Sequence, residues 1–186
     1  MNDLQEILFE IRLHIIAEEG FQRYHYNCPA GYVTIGHGLN TGTITELELK
    51  IINDHRKDYK KPIKVLDDLS YITKEESGLI VGFRVEQLFN YFMEKTKWFR
   101  HLNRCRKKVV IDMAFNMGIK KFNGFKNTIA ALEIQDYSKA YCEILDSDYY
   151  RNSYSIKYSY NRRADLNANR MRYGHCRGKE YSNDWI

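Results

Sequence analysis

The sequence predicts a mostly helical α+β protein with two lobes and a cleft between them. Apolar residues recur at helical spacing along most of the chain, whereas strand-forming residues are concentrated at 24–35 around the turn NCPAG. With two prolines and no low-complexity stretch, the 186 residues show no linker. We expect a single domain, 1–186, made of a small β-containing lobe at about 20–70 and a helical lobe formed by 1–19 and 71–186. The cleft between such lobes is the expected place for a ligand site.

The first helix is predicted to end at Glu19. Asp3 is placed to cap it, and Gly20 is typical of the position just past a helix end. The apolar residues of this helix recur at helical spacing: Leu4, Ile7, Leu8, Ile11 and Ile15. The segments YHY and YVTI then predict two short strands joined by NCPAG.

Two capping boxes indicate where the next helices begin. Thr45 with Glu48 predicts a helix that ends before Pro62, and Thr73 with Glu76 predicts a long one. The nearly apolar segment KKVVIDMAFNMG is expected to be the buried central helix. Shorter helices are expected at 127–134, 138–147 and 161–173.

The charge of the chain favours a polyanionic partner. The net charge is +5, and from Arg151 onward eight Lys and Arg residues stand against three Asp and Glu. Such a segment suits nucleic acid, an anionic membrane surface or a cell-wall polymer, and it equally suits a surface whose charge keeps a protein dissolved.

Cysteine usage and the N-terminal segment predict a protein of a reducing compartment. The four cysteines, at 28, 105, 142 and 176, form no CxxC pair, which fits reduced thiols in a cytoplasm. The segment MNDLQEILFEIRLHII has acids where a secretion signal has lysines, and no apolar run approaches the length of a membrane span. We therefore expect neither a signal peptide nor a transmembrane segment.

Glu19 is the first candidate for chemistry. It is expected at the carboxyl end of a helix, where unpaired carbonyls carry partial negative charge, and burial would add to their effect. Both disfavour the ionised carboxylate, and a protonated carboxylic acid is what acid-assisted cleavage of a glycosidic bond needs. On residue type alone, a solvated glutamate at a helix end is the better interpretation.

Three short motifs give this segment a specific pattern. EG at 19–20, CPAG at 28–31 and TIGHG at 34–38 place eight residues between Glu19 and Cys28, and five between Cys28 and Thr34. In this pattern the sequence resembles the phage-type lysozymes, glycoside hydrolase family 24, the muramidase class of phage endolysins. The resemblance continues in ITKEE at 72–76, MAFNMG at 113–118 and NGFKNT at 123–128, whereas residues 39–71 are longer than usual. The family often has a His directly after its second glycine, but His37 lies between the two glycines and is given no catalytic role.

The resemblance implies a lysozyme-like fold and hydrolysis of the β-1,4 bond between N-acetylmuramic acid and N-acetylglucosamine in peptidoglycan. Glu19 would protonate the leaving oxygen, and Thr34 would help to hold the attacking water, since a hydroxyl both donates and accepts hydrogen bonds. In the inverting geometry that the family implies, the second catalytic group leaves room for that water. Substrate contacts are expected from Asn40, Phe115 and Thr128, although Phe115 fits a core position equally well. No cofactor or metal is expected.

Cys28 stands where the family more usually has Asp. A thiol in water ionises at about pH 8.5, so at neutral pH it is mostly uncharged and a poor base. As a thiolate it would activate water or attack carbon; Arg23 or His25 would favour that form and ionised Glu19 would oppose it. The sequence leaves these roles open, and our hypothesis is that Cys28 positions or activates the water.

The resemblance also implies partners and a location. Peptidoglycan glycan strands would be the substrate of a monomer that neither binds nucleic acid nor inserts stably into a membrane. An endolysin of this type waits in the host cytoplasm until a holin opens the way to the periplasm and the cell wall. A muramidase toxin or a tail-associated lysozyme would share this domain.

Three other interpretations compete with the enzyme. His25 and Cys28, with His37 nearby and His175–Cys176 distant, would suit zinc if the turn brought them together. The basic, tyrosine-rich C-terminal segment would suit nucleic acid, but no RNP, zinc-finger or recognition-helix pattern accompanies it. A catalytically inactive wall-binding relative is disfavoured by the intact Glu19.

Overall fold

A computed structural model describes residues 3–28, 31–56, 64, 70–152 and 162–176, and their fold is mostly helical with one small sheet. The predicted α+β class is confirmed. The chain groups into two compact units, Met1–Phe89 and Asn90–Ile186. Because this division reflects proximity and not independent folding, the single domain with a lobe at 20–70 stays a prediction.

In the first unit, the residues that the structure describes form the sheet and two complete helices. Its elements are α1 (Asp3–Glu19), β1 (Gln22–Asn27), β2 (Val33–Gly36), β3 (Leu39–Asn40), a 3-10 turn (Thr41–Thr43) and α2 (Glu46–His55). The three strands pair antiparallel in the order β1-β2-β3. Helix α3 (Lys74–Lys95) begins in this unit and runs into the second. The unit packs on a buried aliphatic cluster: Ile35, Leu39, Leu49, Ile52, Ile72 and Ile80.

Both predicted capping boxes are present, and their glutamates are buried as well. Thr45 accepts from the Glu48 N–H while Glu48 accepts from the Thr45 N–H, and the second box repeats this pattern at the start of α3. Burial alone would raise the pKa of Glu48, but the hydrogen bond and charge of Arg84, at 2.5 Å, outweigh it and hold that pKa low. These glutamates therefore stay ionised and anchor arginines as well as helix ends.

The described residues of the second unit form seven further helical segments. They are α4 (Lys97–His101), α5 (Arg104–Met117), α6 (Ile119–Phe122), α7 (Lys126–Glu133), α8 (Tyr137–Leu145), α9 (Asp148–Asn152) and α10 (Arg162–Tyr173). The four longer helices α5, α7, α8 and α10 confirm the predictions. The short elements α4, α6, α9 and β3 were not predicted, because two to five residues are too few to show a period. Helix α2 ends at His55, before Pro62 as predicted, and part of the basic C-terminal segment lies outside the described residues.

A buried polar network joins α5, α9 and α10. Asp112 is fully buried and accepts two hydrogen bonds from Arg163, at 2.8 and 3.1 Å. It also accepts one from Asn167 at 2.5 Å, and Asn167 in turn donates to the Tyr149 hydroxyl at 3.0 Å. A carboxylate removed from water needs such partners, because burial without them costs several kcal/mol. The network therefore holds α9 and α10 against α5.

The expectation that all four cysteines are free thiols is wrong for two of them. Cys105, in the first turn of α5, forms a disulfide with Cys176, which follows α10, whereas Cys28 and Cys142 remain thiols. The partners are 71 residues apart in sequence but have Cα atoms 5.7 Å apart. Nearby, the Asn103 side chain donates to the Gly174 carbonyl at 3.1 Å, so the same two segments also meet through a hydrogen bond. Wide spacing in the sequence concealed a contact made by the packing of α10 on α5.

We predict that Asp112→Ala lowers the free energy of unfolding by about 3–5 kcal/mol, because it leaves a largely buried guanidinium without its carboxylate. The matched control is Asp148→Ala, which also removes an arginine's partner but at a side chain that is 85% exposed. Its cost should be below about 1 kcal/mol. Chemical denaturation measures both values. Equal losses would show that the network contributes no more than a surface ion pair.

Candidate active site

Glu19 is the last residue of α1, and its carboxylate lies against the backbone of Gly38. A Cβ on Gly38 would be 2.9 Å from Glu19 Oε2, closer than real Cβ contacts allow. Gly38 also has φ of +70°, a conformation that residues other than glycine rarely adopt. Gly20 has φ of +66° and ends the helix as predicted. The half-buried Glu19 is therefore placed by the end of its own helix and by the turn that follows β2.

Three polar side chains form a row across the sheet. Tyr26 on β1 pairs with Thr34 on β2, and Thr34 pairs with Asn40 on β3. Directly opposed residues in antiparallel strands project from the same face, with Cβ atoms about 5 Å apart. An irregularity in the pairing between Gln22 and Tyr26 resets the register of β1 before this row. The structure thus brings the predicted residues Thr34 and Asn40 together and adds Tyr26.

Cys28 lies at the hairpin turn, on the same face as Tyr26. Its N–H donates to the Tyr32 carbonyl at 3.0 Å, which continues the ladder, and its carbonyl accepts from the Gly31 N–H at 2.8 Å. Because side chains alternate along a strand, residues 26 and 28 share a face. The half-buried thiol therefore belongs to the sheet face that carries Thr34.

Hydrogen bonds limit what Thr34 and Asn40 can offer a ligand. The Thr34 hydroxyl is buried and donates its proton to the Tyr32 carbonyl at 3.0 Å, so its lone pairs remain as acceptors. The Asn40 amide oxygen accepts from the Gly42 N–H at 2.9 Å, where it caps the 3-10 turn. Towards a ligand, Thr34 would thus act as an acceptor and the Asn40 NH2 group as a donor.

Two acidic groups of the site, Cys28 and Glu19, both act on the Tyr26 phenol. Burial raises the pKa of the Tyr26 phenol above its usual value, and the negative charges of Cys28 and Glu19 raise it further. A phenolate at this position would be repelled by both groups, which lie close enough to influence it. Tyr26 therefore remains a neutral O–H group on which two acidic groups act, a feature that sequence analysis missed because tyrosines are abundant in this chain.

The turn at Gly36–Gly38 is fixed from behind by Ser77 of α3. Ser77 Oγ accepts from the His37 backbone N–H and hydrogen-bonds His37 Nδ1, both at 2.8 Å. Burial lowers the pKa of His37, and the charges of Lys74 and Arg12 lower it further, so the imidazole is neutral. His37 therefore supports the turn through its two bonds with Ser77.

A family model supplies the decisive comparison. The model of phage lysozyme matches residues 17–165, a segment that includes all six predicted site residues. The chain belongs to the phage lysozyme family. It is accordingly a lysozyme, a glycoside hydrolase whose substrate is peptidoglycan. No curated protein matches the chain.

The other two predicted residues of this phage lysozyme lie in the second unit. Phe115 is half-buried on α5, and Thr128 is buried at the start of α7. Thr128 lines a cavity of about 740 Å³ together with Phe125, Asn127 and Tyr149. Phe115 is not among the residues that line it. Residues of the second unit alone line this cavity, so its volume says nothing about the surroundings of Glu19 and Cys28.

The zinc interpretation gains no support. In the part of the chain that the structure describes, no three His, Cys, Asp or Glu side chains are grouped in a way that could hold a metal ion. Cys176 is engaged with Cys105, and the His37 Nδ1 atom is engaged with Ser77.

Across the described ranges, no helix is both long and apolar enough to cross a membrane.

We predict that Gly38→Ala reduces peptidoglycan hydrolysis by about 10²-fold, because the new methyl group displaces the Glu19 carboxylate. Gly31→Ala is the matched control, since Gly31 also has positive φ (+83°) but a Cβ added there would meet no atom within 4 Å. Both variants should lose a similar amount of stability, about 1–3 kcal/mol. Initial rates and thermal unfolding are measured side by side. Equal activity in the two variants would contradict the placement of Glu19 by Gly38.

Proposed function

We propose that this phage lysozyme cleaves the β-1,4 bond between N-acetylmuramic acid and N-acetylglucosamine, with Glu19 as the general acid. The observation that carries the proposal is the packing of the Glu19 carboxylate against Gly38, beside the strands that bear Thr34 and Asn40. A carboxylic acid at a helix end, next to a face of polar side chains, can give its proton to the leaving oxygen as the glycosidic bond breaks.

Cys28 and Thr34 act on the attacking water. The Thr34 hydroxyl donates its hydrogen bond to a backbone carbonyl, so its oxygen accepts one hydrogen bond from the water and orients it. As the new bond to the anomeric carbon forms, the water's other proton passes to the Cys28 sulfur in its thiolate form. The proton lost by Glu19 ends on the leaving sugar, and the proton gained by Cys28 balances it. The shared face of Cys28 and Thr34 supports this division of roles.

Three residues contact the substrate in this proposal. Asn40 is supported by its pairing with Thr34. Its amide oxygen accepts from the Gly42 N–H, which leaves its NH2 group as a donor to a sugar. Thr128 is supported by its place in the wall of a cavity large enough for sugar residues. Phe115 is half-buried and would present part of its ring to a sugar face.

The biological role that we propose is that of an endolysin, which degrades the wall of the host and releases the phage. The enzyme would act as a monomer, remain in the host cytoplasm until a holin opens the membrane, and then reach the periplasm and the wall. Family membership supports this role, and the +5 charge suits an anionic wall.

The test of bond and acid is a digest of purified peptidoglycan whose new reducing ends are reduced and identified by mass. We expect new N-acetylmuramic acid ends from the wild type and a loss of 10²- to 10⁴-fold in Glu19→Gln, because the amide cannot supply the proton. Glu18→Gln, one residue earlier on α1, is the matched control and should retain the wild-type rate. New N-acetylglucosamine ends, or equal rates in the two variants, would refute the proposal.

A further inference from the structure

Tyr26 lies on the edge strand β1, on the sheet face that carries the proposed catalytic residues, although no role follows for it from the sequence motifs. It opposes Thr34 across the strands and shares a face with Cys28 two residues later. Tyr26 is 36% exposed, so solvent and ligands can reach its ring. Tyr24, on the same strand, is 63% exposed and has no cross-strand partner in the pairing.

The hydrogen-bonding capacity of this face points to Tyr26 as a donor. The Thr34 hydroxyl already donates to the Tyr32 carbonyl, so towards a ligand it can accept a hydrogen bond but not donate one. Cys28 and Glu19, once ionised, are acceptors that need donors. The Tyr26 phenol interacts electrostatically with both of them, and a neutral phenol supplies an O–H.

We propose that Tyr26 is a positioning residue of the active site, whose phenol O–H donates a hydrogen bond to the Cys28 sulfur and stabilises its thiolate beside Glu19. The inference rests on the proposed function of Cys28 as the group that receives the water's proton. The groups whose charges act on this phenol are Cys28 on the hairpin and Glu19 on α1.

The physical reason for such a residue is the cost of a thiolate in a site from which water is excluded. The sugar that enters the site removes the water that would solvate the Cys28 sulfur, and this desolvation disfavours the thiolate. A hydrogen bond to an ionised acceptor is stronger than one between neutral groups, so a phenol directed at the sulfur offsets that loss. A cysteine can then serve where an aspartate, which ionises readily, would need no such donor.

The experiment measures the reactivity of Cys28 and the turnover of peptidoglycan in the same proteins. Cys142→Ser provides the background, because the Cys105–Cys176 disulfide then leaves Cys28 as the thiol that iodoacetamide can alkylate. Tyr26→Phe removes the hydroxyl and keeps the ring, and Tyr24→Phe is the matched control on the same strand. Alkylation rates are recorded from pH 6 to 10, and kcat and KM are determined at neutral pH.

We expect Tyr26→Phe to slow alkylation of Cys28 at pH 7 by about tenfold and to move its pH profile upward, because the thiolate loses a donor. It should lower kcat by a similar factor and leave KM unchanged, while Tyr24→Phe matches the background in every measurement. Superimposable alkylation profiles for Tyr26→Phe and the background would overturn the inference whatever the turnover. A background protein that alkylates as expected but never hydrolyses peptidoglycan would instead overturn the proposed function.

Discussion

The close approach of the Glu19 carboxylate to the backbone of Gly38 is the constraint on which the rest of the proposed site depends. It requires glycine at position 38, since any Cβ there would meet the carboxylate and the local φ is positive. It also requires that the turn does not move, and the two hydrogen bonds from His37 to Ser77 fix it to α3. The end of α1 and the turn after β2 are thereby held next to each other, and the Glu19 carboxylate lies beside a polar sheet face.

The direction of the hydrogen bonds on that face determines what each side chain can do. The Thr34 hydroxyl donates to a backbone carbonyl, so towards a ligand it is an acceptor. The Asn40 amide oxygen accepts from a backbone N–H, so towards a ligand the Asn40 NH2 group is a donor. Tyr26 stays protonated because burial and two neighbouring acids oppose its ionisation. A cysteine at position 28 fits this environment in the proposed site. Thr34 would accept a hydrogen bond from the attacking water, and Tyr26 would donate one to the Cys28 thiolate.

Features encoded by neighbouring residues were predictable from the sequence, and features that join distant residues were not. The capping boxes, the end of α1 at Gly20 and the hairpin each depend on residues a few positions apart. The Ser77–His37 pair, the Asp112–Arg163 pair and the disulfide join residues 40, 51 and 71 positions apart. The type of a single residue does not indicate such a distant contact. The family motif did indicate Glu19, Cys28 and Thr34, because it specifies the number of residues between them, which periodicity and capping patterns do not.

The central claim is that Glu19 protonates the leaving oxygen, and the dependence of the reaction on its leaving group tests it most directly. Wild type and Glu19→Gln are compared on a glycan substrate and on an aryl glycoside of the same sugar whose dinitrophenolate leaves without a proton. The account predicts a loss of about 10²- to 10⁴-fold in Glu19→Gln on the glycan and a small loss on the aryl glycoside. Equal losses on the two substrates would contradict it, because the carboxyl group would then serve the reaction in some way other than as an acid.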